Sequence, residues 1–169
     1  MQQPLEIERK FLIAMPDSAW LMAQEGVTRE GIEQTYLLSG AGEEVRVRRR
    51  GAAGTYAYVK TVKRALSGIT REETETAVSK AEYDALLDMR DPSRRTIEKT
   101  RYSFPYRGHV LEIDVYPFWE NWAILEAELQ REDEALDLPE EIRIIREVTQ
   151  DKRFKNSALA ACADLKSLI

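Results

Sequence analysis

Carboxylates and cationic side chains recur two residues apart along this chain, and that spacing could do chemistry. Glu6 and Glu8 precede Lys10, Arg46 and Arg48 flank Val47, and Arg71 precedes Glu73 and Glu75. Further on come Lys99 with Arg101, Glu112 with Asp114, and Glu126 with Glu128. In an extended chain residues i and i+2 point to the same side, so each pair would share one face of a strand. Like charges side by side repel unless something of opposite sign lies between them. Paired carboxylates suit a shared hard divalent cation, which takes oxygen ligands. Paired arginines suit a phosphate chain, whose oxygens match the guanidinium fork. Both kinds on one concave surface would hold a metal ion and a polyphosphate. The plainer alternative is a sheet with one apolar face on helices and its charged face in water, laced with cross-strand pairs.

The elements that must carry these residues are mostly strands. Leu5, Ile7, Phe11 and Ile13 mark the apolar side of a first strand. A short helix follows Pro16, capped by Asp17 or Ser18. Strands are expected at 32–39, 43–50, 55–62 and 69–78, with Gly40-Ala41-Gly42 and Gly51 to Gly54 as turns. The strand at 55–62 offers Tyr56, Tyr58 and Lys60 to one side. Neither glycine group is followed by the helix and Lys-Ser/Thr pair that a phosphate-binding P-loop requires. Ser79-Lys80-Ala81-Glu82 matches a capping box opening a helix, which Asp91-Pro92 ends. Strands resume at 96–104, 109–118 and 123–131, with turns at Arg107-Gly108 and near Asn121. The acidic stretch around Pro139 reads as a surface connection, and 154–169 as one closing amphipathic helix. The expected fold is α+β: an eight-stranded antiparallel β-barrel flanked by a few helices, one domain over 1–169. If the sheet closes, the charged face is the inside, an interior that holds side chains or one small ligand. Long charged side chains there cannot stay dry and unpaired.

Composition narrows the partners. The 169 residues are 33% charged, yet the net charge is −5. That balance speaks against a nucleic-acid polymer, which needs a basic excess, while local clusters still suit a small polyanion. Cys162 is the single cysteine, so no intramolecular disulfide or zinc–thiolate cluster can form, and a small buried hydrophobe is its expected role. No apolar run reaches the length needed to cross a bilayer, and the start lacks a secretory pattern; a cytoplasmic protein without a membrane partner is expected. A homodimer is left open. His109, after Gly108, is expected to be exposed in a turn, and Trp119 and Trp122 to pack at a strand junction.

The opening Glu6-Ile7-Glu8-Arg9-Lys10-Phe11 matches the Glu-x-Glu-x-Lys motif that begins CYTH proteins, the triphosphate tunnel metalloenzymes. The match continues through Tyr36-Leu37, Val45-Arg46-Val47-Arg48, Lys60, Arg71-x-Glu73-x-Glu75, Lys99-x-Arg101, Glu112-x-Asp114 and Glu126-x-Glu128. It closes with Glu147-Val148-Thr149 and Arg153-Phe154-Lys155-Asn156. The chain resembles the short, single-domain bacterial type, in which several members hydrolyse inorganic triphosphate. The resemblance implies a tunnel that works with Mg²⁺ or Mn²⁺. Glu6, Glu8, Glu126 and Glu128 resemble the family's metal ligands, with Glu112 and Asp114 as further acids of that set. Lys10, Arg46, Arg48, Lys60, Lys99 and Arg101 resemble its phosphate cradle, joined by Arg71. Glu73 and Glu75 are candidates for activating water, and Lys10 with Tyr36 for handling protons. Class IV adenylate cyclase, thiamine triphosphatase and a non-catalytic polyphosphate or nucleotide binder are the rival readings. Two departures stand out: isoleucines within 142–146 where many relatives place Trp and Gly, and the basic Lys152-Arg153 pair.

Overall fold

Two-residue alternation becomes strands over most of the chain, and the apolar half of each alternation finds a packed partner. The computed structural model describes residues 7–67 and 70–169, without the side chains of 65–67, 70 and 71. The order is β1 (Ile7–Ala14), α1 (Ser18–Met22), β2 (Thr28–Leu37), β3 (Glu43–Ala52), β4 (Thr55–Ser67) and β5 (Thr70–Val78). Then come α2 (Lys80–Leu86), β6 (Ile97–Tyr106), β7 (His109–Val115), β8 (Trp122–Leu129), β9 (Ile144–Glu147) and α3 (Asn156–Ala161). The fold is antiparallel and β-rich with few helices. None of the described helices is long and apolar enough to cross a membrane.

The chain divides into two compact units, Met1–Glu30 with Lys99–Phe154 and Leu165–Ile169, and Gly31–Glu98 with Lys155–Asp164. In the first, the strands run in the order β6, β7, β8, β1, β9, each antiparallel to its neighbour. One face of this sheet buries Phe11, Ile13, Tyr102, Phe104, Leu111, Ile113, Leu125 and Ala127 together with Leu21 of α1. Each such large side chain contributes roughly 1.5–3 kcal/mol of burial. The helix α1 starts where Asp17 accepts the Trp20 N–H at 2.9 Å, which satisfies a donor the helix itself cannot. Trp119 is buried and donates from Nε1 to the Leu165 carbonyl at 2.9 Å.

The second unit orders β5, β4, β3, β2. Its apolar face sets Leu37, Val45 and Val47 against Tyr83 of α2. That helix opens with the expected capping box: Glu82 N–H donates to Ser79 Oγ at 3.1 Å, and Ser79 N–H to the Glu82 carboxylate at 2.6 Å. The β3–β4 hairpin turns on Ala53 and Gly54, with φ of 52° and 82°. Arg107 and Gly108, at 44° and 83°, do the same between β6 and β7. Two positive φ values in a two-residue loop suit the twist of the flanking strands, and glycine reaches the second without strain.

Several expectations are corrected. There are nine strands where eight were expected, because Ile144–Glu147 forms β9 against β1. All four of its residues are exposed, so no buried alternation announces it. The closing helix is only Asn156–Ala161, followed by a 3-10 turn at Lys166–Leu168. At Cys162 the backbone turns extended, with φ −73° and ψ 126°. Arg95 takes the carbonyls that end the helix: its N–H donates to Ala160 O and its Nη2 to Cys162 O, both at 2.8 Å. Cys162 is half-buried, short of the buried place expected. His109 is no exposed turn residue either: only 11% of its side chain is accessible, and Nε2 lies 3.0 Å from Glu134 Oε1.

Candidate functional site

Residues directly opposite each other in antiparallel strands share a face, so register decides which charges meet. In the first unit Glu8 lies opposite Glu128, Lys10 opposite Glu126, Glu126 opposite Glu112, and Asp114 opposite Arg101. The face turned away from the apolar core therefore carries both signs in a connected set. Lys10 Nζ is 2.9 Å from Glu126 Oε1 and 3.9 Å from Glu8 Oε1. Arg101 reaches Glu112 at 2.5 Å and Glu126 at 3.3 Å.

Asp114 sits deepest in this set. It is fully buried, and both its oxygens are taken: Oδ2 by Lys99 Nζ at 2.6 Å and Arg101 Nη2 at 2.8 Å, Oδ1 by Arg101 Nε at 2.6 Å. Against the desolvation that would raise it, the Lys99 charge and the Arg101 hydrogen bonds hold its carboxyl below the ordinary carboxylate value. Burial pulls the Lys99 ammonium down, with Asp114 opposing. Three charge-assisted contacts on one carboxylate favour the ionised pair. The expectation of a metal ligand at Asp114 does not fit this arrangement, because the carboxylate is fully buried and already paired with two cationic side chains. Glu112 keeps partial exposure, and desolvation raises its carboxyl with Arg101 working against the rise.

Glu8 and Glu128 are a different matter. Both are exposed, directly opposed and of the same sign, a placement that costs free energy unless a cation bridges it. Hard carboxylate oxygens at such a position fit Mg²⁺ or Mn²⁺, with Glu126 next along the face. No group of three or more metal-ligating side chains gathers among the described residues. Glu6 lies outside the described residues.

In the second unit Tyr36 lies opposite Arg46, Gln34 opposite Arg48, and Thr61 opposite both Arg46 and Glu75. Arg46 pairs with Glu73 at 3.6 Å, Lys63 with Glu73 at 3.0 Å, and Arg48 with Glu75. The buried Nε of Arg46 has no hydrogen-bond partner among the described residues. A buried donor of that kind costs about 1–3 kcal/mol until something accepts from it, and a phosphate oxygen is a fitting acceptor. The Tyr36 hydroxyl accepts from Gln34 Nε2 at 2.7 Å. Burial raises the Tyr36 phenol, with the Arg46 charge opposing, so the group keeps its proton at neutral pH.

Lys60 is the residue that register removes from the set. It lies opposite Val47 and Thr76, on the face that packs against α2. The cation on the charged face of β4 is Lys63, two residues beyond Thr61, which sequence reasoning passed over. A signal existed: the two-residue turn at Ala53-Gly54 pairs even-numbered with odd-numbered residues, which sets Lys60 on the face of Val45 and Val47 and Lys63 on the face of Arg46 and Arg48. Arg71 stands in β5, and its side chain lies outside the described residues. Glu8, Lys10, Lys99, Arg101, Glu112, Asp114, Glu126 and Glu128 are thus brought together in the first unit. Tyr36, Arg46, Arg48, Glu73 and Glu75 are brought together in the second.

Against known proteins, the CYTH domain family model matches residues 4–158. An inorganic triphosphatase of Acetivibrio thermocellus is 33% identical over 154 residues, covering 91% of this chain and 92% of that protein. An inorganic triphosphatase of Nitrosomonas europaea is 33% identical over 158 residues, with 92% and 96% covered. Among solved structures, one of an inorganic triphosphatase superposes with a TM-score of 0.65 at 30% identity, covering 96% of this chain and 98% of the other.

Proposed function

The chain belongs to the CYTH domain family, and from that premise we propose that it hydrolyses inorganic triphosphate, a phosphoanhydride, with the help of Mg²⁺ or Mn²⁺. The observation that carries the proposal is Arg46 beside Arg48 on one face with Tyr36, the buried Arg46 Nε lacking an acceptor among the described residues. Near-full-length relatives named inorganic triphosphatase support the choice of substrate.

In the first unit Glu8 and Glu128, with Glu126, would hold the metal, and Lys10 and Arg101 stand on the same face to meet phosphate oxygens. The metal when bound supplies charge neutralisation for the phosphate oxygens and acidifies water. Lys99 and Asp114 fix Arg101 from beneath, so its fork is oriented before substrate arrives. In the second unit Arg46, Arg48 and Lys63 are held by Glu73 and Glu75. A phosphate chain would displace those carboxylates from the cations. The freed carboxylates could then accept a proton from an attacking water, and the Tyr36 phenol could donate one to a leaving phosphate oxygen. Catalysis of this kind is positioning and charge stabilisation more than covalent chemistry. In the overall reaction water adds to a terminal phosphorus, the anhydride bond breaks, and orthophosphate and pyrophosphate leave.

The test is turnover of inorganic triphosphate with Mg²⁺ or Mn²⁺ by the wild type, Glu8→Gln and Arg48→Ala. Loss of orthophosphate release in both folded variants is expected. Undiminished turnover in both would remove the proposed site. ATP run in parallel, with cyclic AMP as the product sought, separates a cyclase from a phosphohydrolase.

A further inference from the structure

The closing motif Glu147-Val148-Thr149 makes no contact in the reaction scheme above, yet it holds both backbone hydrogen-bonding groups of Lys10. The Lys10 N–H donates to Thr149 Oγ1 at 3.0 Å, and its carbonyl accepts from the Val148 N–H at 2.8 Å. Regular pairing of β1 with β9 stops one residue earlier, at Phe11 opposite Glu147. At Lys10, therefore, a side-chain hydroxyl stands where a sheet would offer a backbone carbonyl. The Thr149 hydroxyl is committed in turn, donating to Glu147 Oε1 at 2.8 Å. The Glu147 carboxylate is gripped by the Arg9 fork, Nε and Nη2 each at 2.9 Å. Arg9 lowers the Glu147 carboxyl, and Thr149 adds to the effect, so the anchor stays charged at neutral pH. A bidentate pair fixes direction as well as distance.

We propose that Thr149 is a positioning residue: through the Lys10 peptide, and braced by the Glu147–Arg9 pair, it sets where the Lys10 ammonium stands on the charged face. The inference rests on the reading of Lys10 as part of the phosphate site. Its physical basis is leverage. The Lys10 side chain leaves a peptide pinned on both sides, so its ammonium is delivered to Glu126 at 2.9 Å without a search through backbone orientations. Misplacement of such a group by about 1 Å can cost up to roughly a hundredfold in rate.

The experiment compares Thr149→Val, which keeps the shape and removes the hydroxyl, with Thr149→Ser, which keeps the hydroxyl. Both are assayed with inorganic triphosphate and Mg²⁺, and both are crystallised beside the wild type. Thr149→Val is expected to lower kcat about tenfold with a smaller change in KM, and Thr149→Ser to restore it to within about threefold of wild type. In the Thr149→Val crystal, the Lys10 ammonium is expected to move away from Glu126. An unmoved ammonium overturns the proposal whatever the turnover, and so does equal impairment of the valine and serine variants. A wild type that leaves triphosphate intact, with Lys10 displaced in the Thr149→Val crystal, would remove the functional reading and leave the positioning role standing.

Discussion

Replacing Asp114 by asparagine removes the buried charge to which Lys99 and Arg101 are both fastened. The side chain is fully inaccessible, with contacts of 2.6 Å to Lys99 and of 2.6 and 2.8 Å to Arg101. Asparagine preserves the volume but turns amide hydrogens toward donors. Lys99, with 3% of its side chain exposed, loses its hydrogen-bonded carboxylate, whereas Arg101 keeps Glu112 and Glu126. Breaking a buried pair typically costs about 3–5 kcal/mol. The two carboxylates left to Arg101 put the expectation at about 3 kcal/mol, a large share of the roughly 5–15 kcal/mol that holds a domain together. The corresponding fall in Tm is about 10 °C. Urea titration at pH 7 without metal measures it. The sign with pH follows from the lowered carboxyl: its stabilisation is complete above the ordinary value of 3.8 and fades as pH falls through the lower folded value. Variant and wild type should therefore converge in strong acid. A loss under about 1 kcal/mol at pH 7, or a gap that persists undiminished in acid, would refute the reasoning.

Glu128→Gln should behave in the opposite way: without metal it is as stable as wild type or about 0.2–1 kcal/mol more so, since the charge opposite Glu8 is gone, while calorimetry should show weakened Mn²⁺ binding. Lys63→Ala should raise KM for inorganic triphosphate about tenfold, whereas Lys60→Ala, on the face that packs against α2, should change it by less than about twofold; steady-state kinetics on both variants compares them directly. Ala53→Asn should stabilise the protein by about 0.5–1 kcal/mol in urea, because alanine at φ 52° carries a strain that asparagine tolerates.

The charged pairs and their alternation were legible in the sequence because strand geometry has a period of two, and the Arg107-Gly108 turn was enough to bring Arg101 opposite Asp114. Depth was not. Glu112 and Asp114 share a face by spacing alone, yet one carboxylate is partly open and the other sealed under Lys99 and Arg101. Lys60 was misplaced because a single strand shows two faces without saying which one packs; only the hairpin register tells them apart. β9 escaped because an exposed strand of four residues has no buried alternation to display. The closing helix was overextended because the Arg95 contacts that end it at Cys162 come from far along the chain. Thr149 belonged to a motif whose residues were plain and whose bonding to the Lys10 backbone was not.

The measurement that bears most directly on the central claim is phosphorus NMR of inorganic triphosphate incubated with the wild-type protein and Mg²⁺, then Mn²⁺. Hydrolysis of the terminal anhydride predicts that the triphosphate resonances decay while orthophosphate and pyrophosphate grow in equal amounts at first. Resonances that stay unchanged with either ion would contradict it.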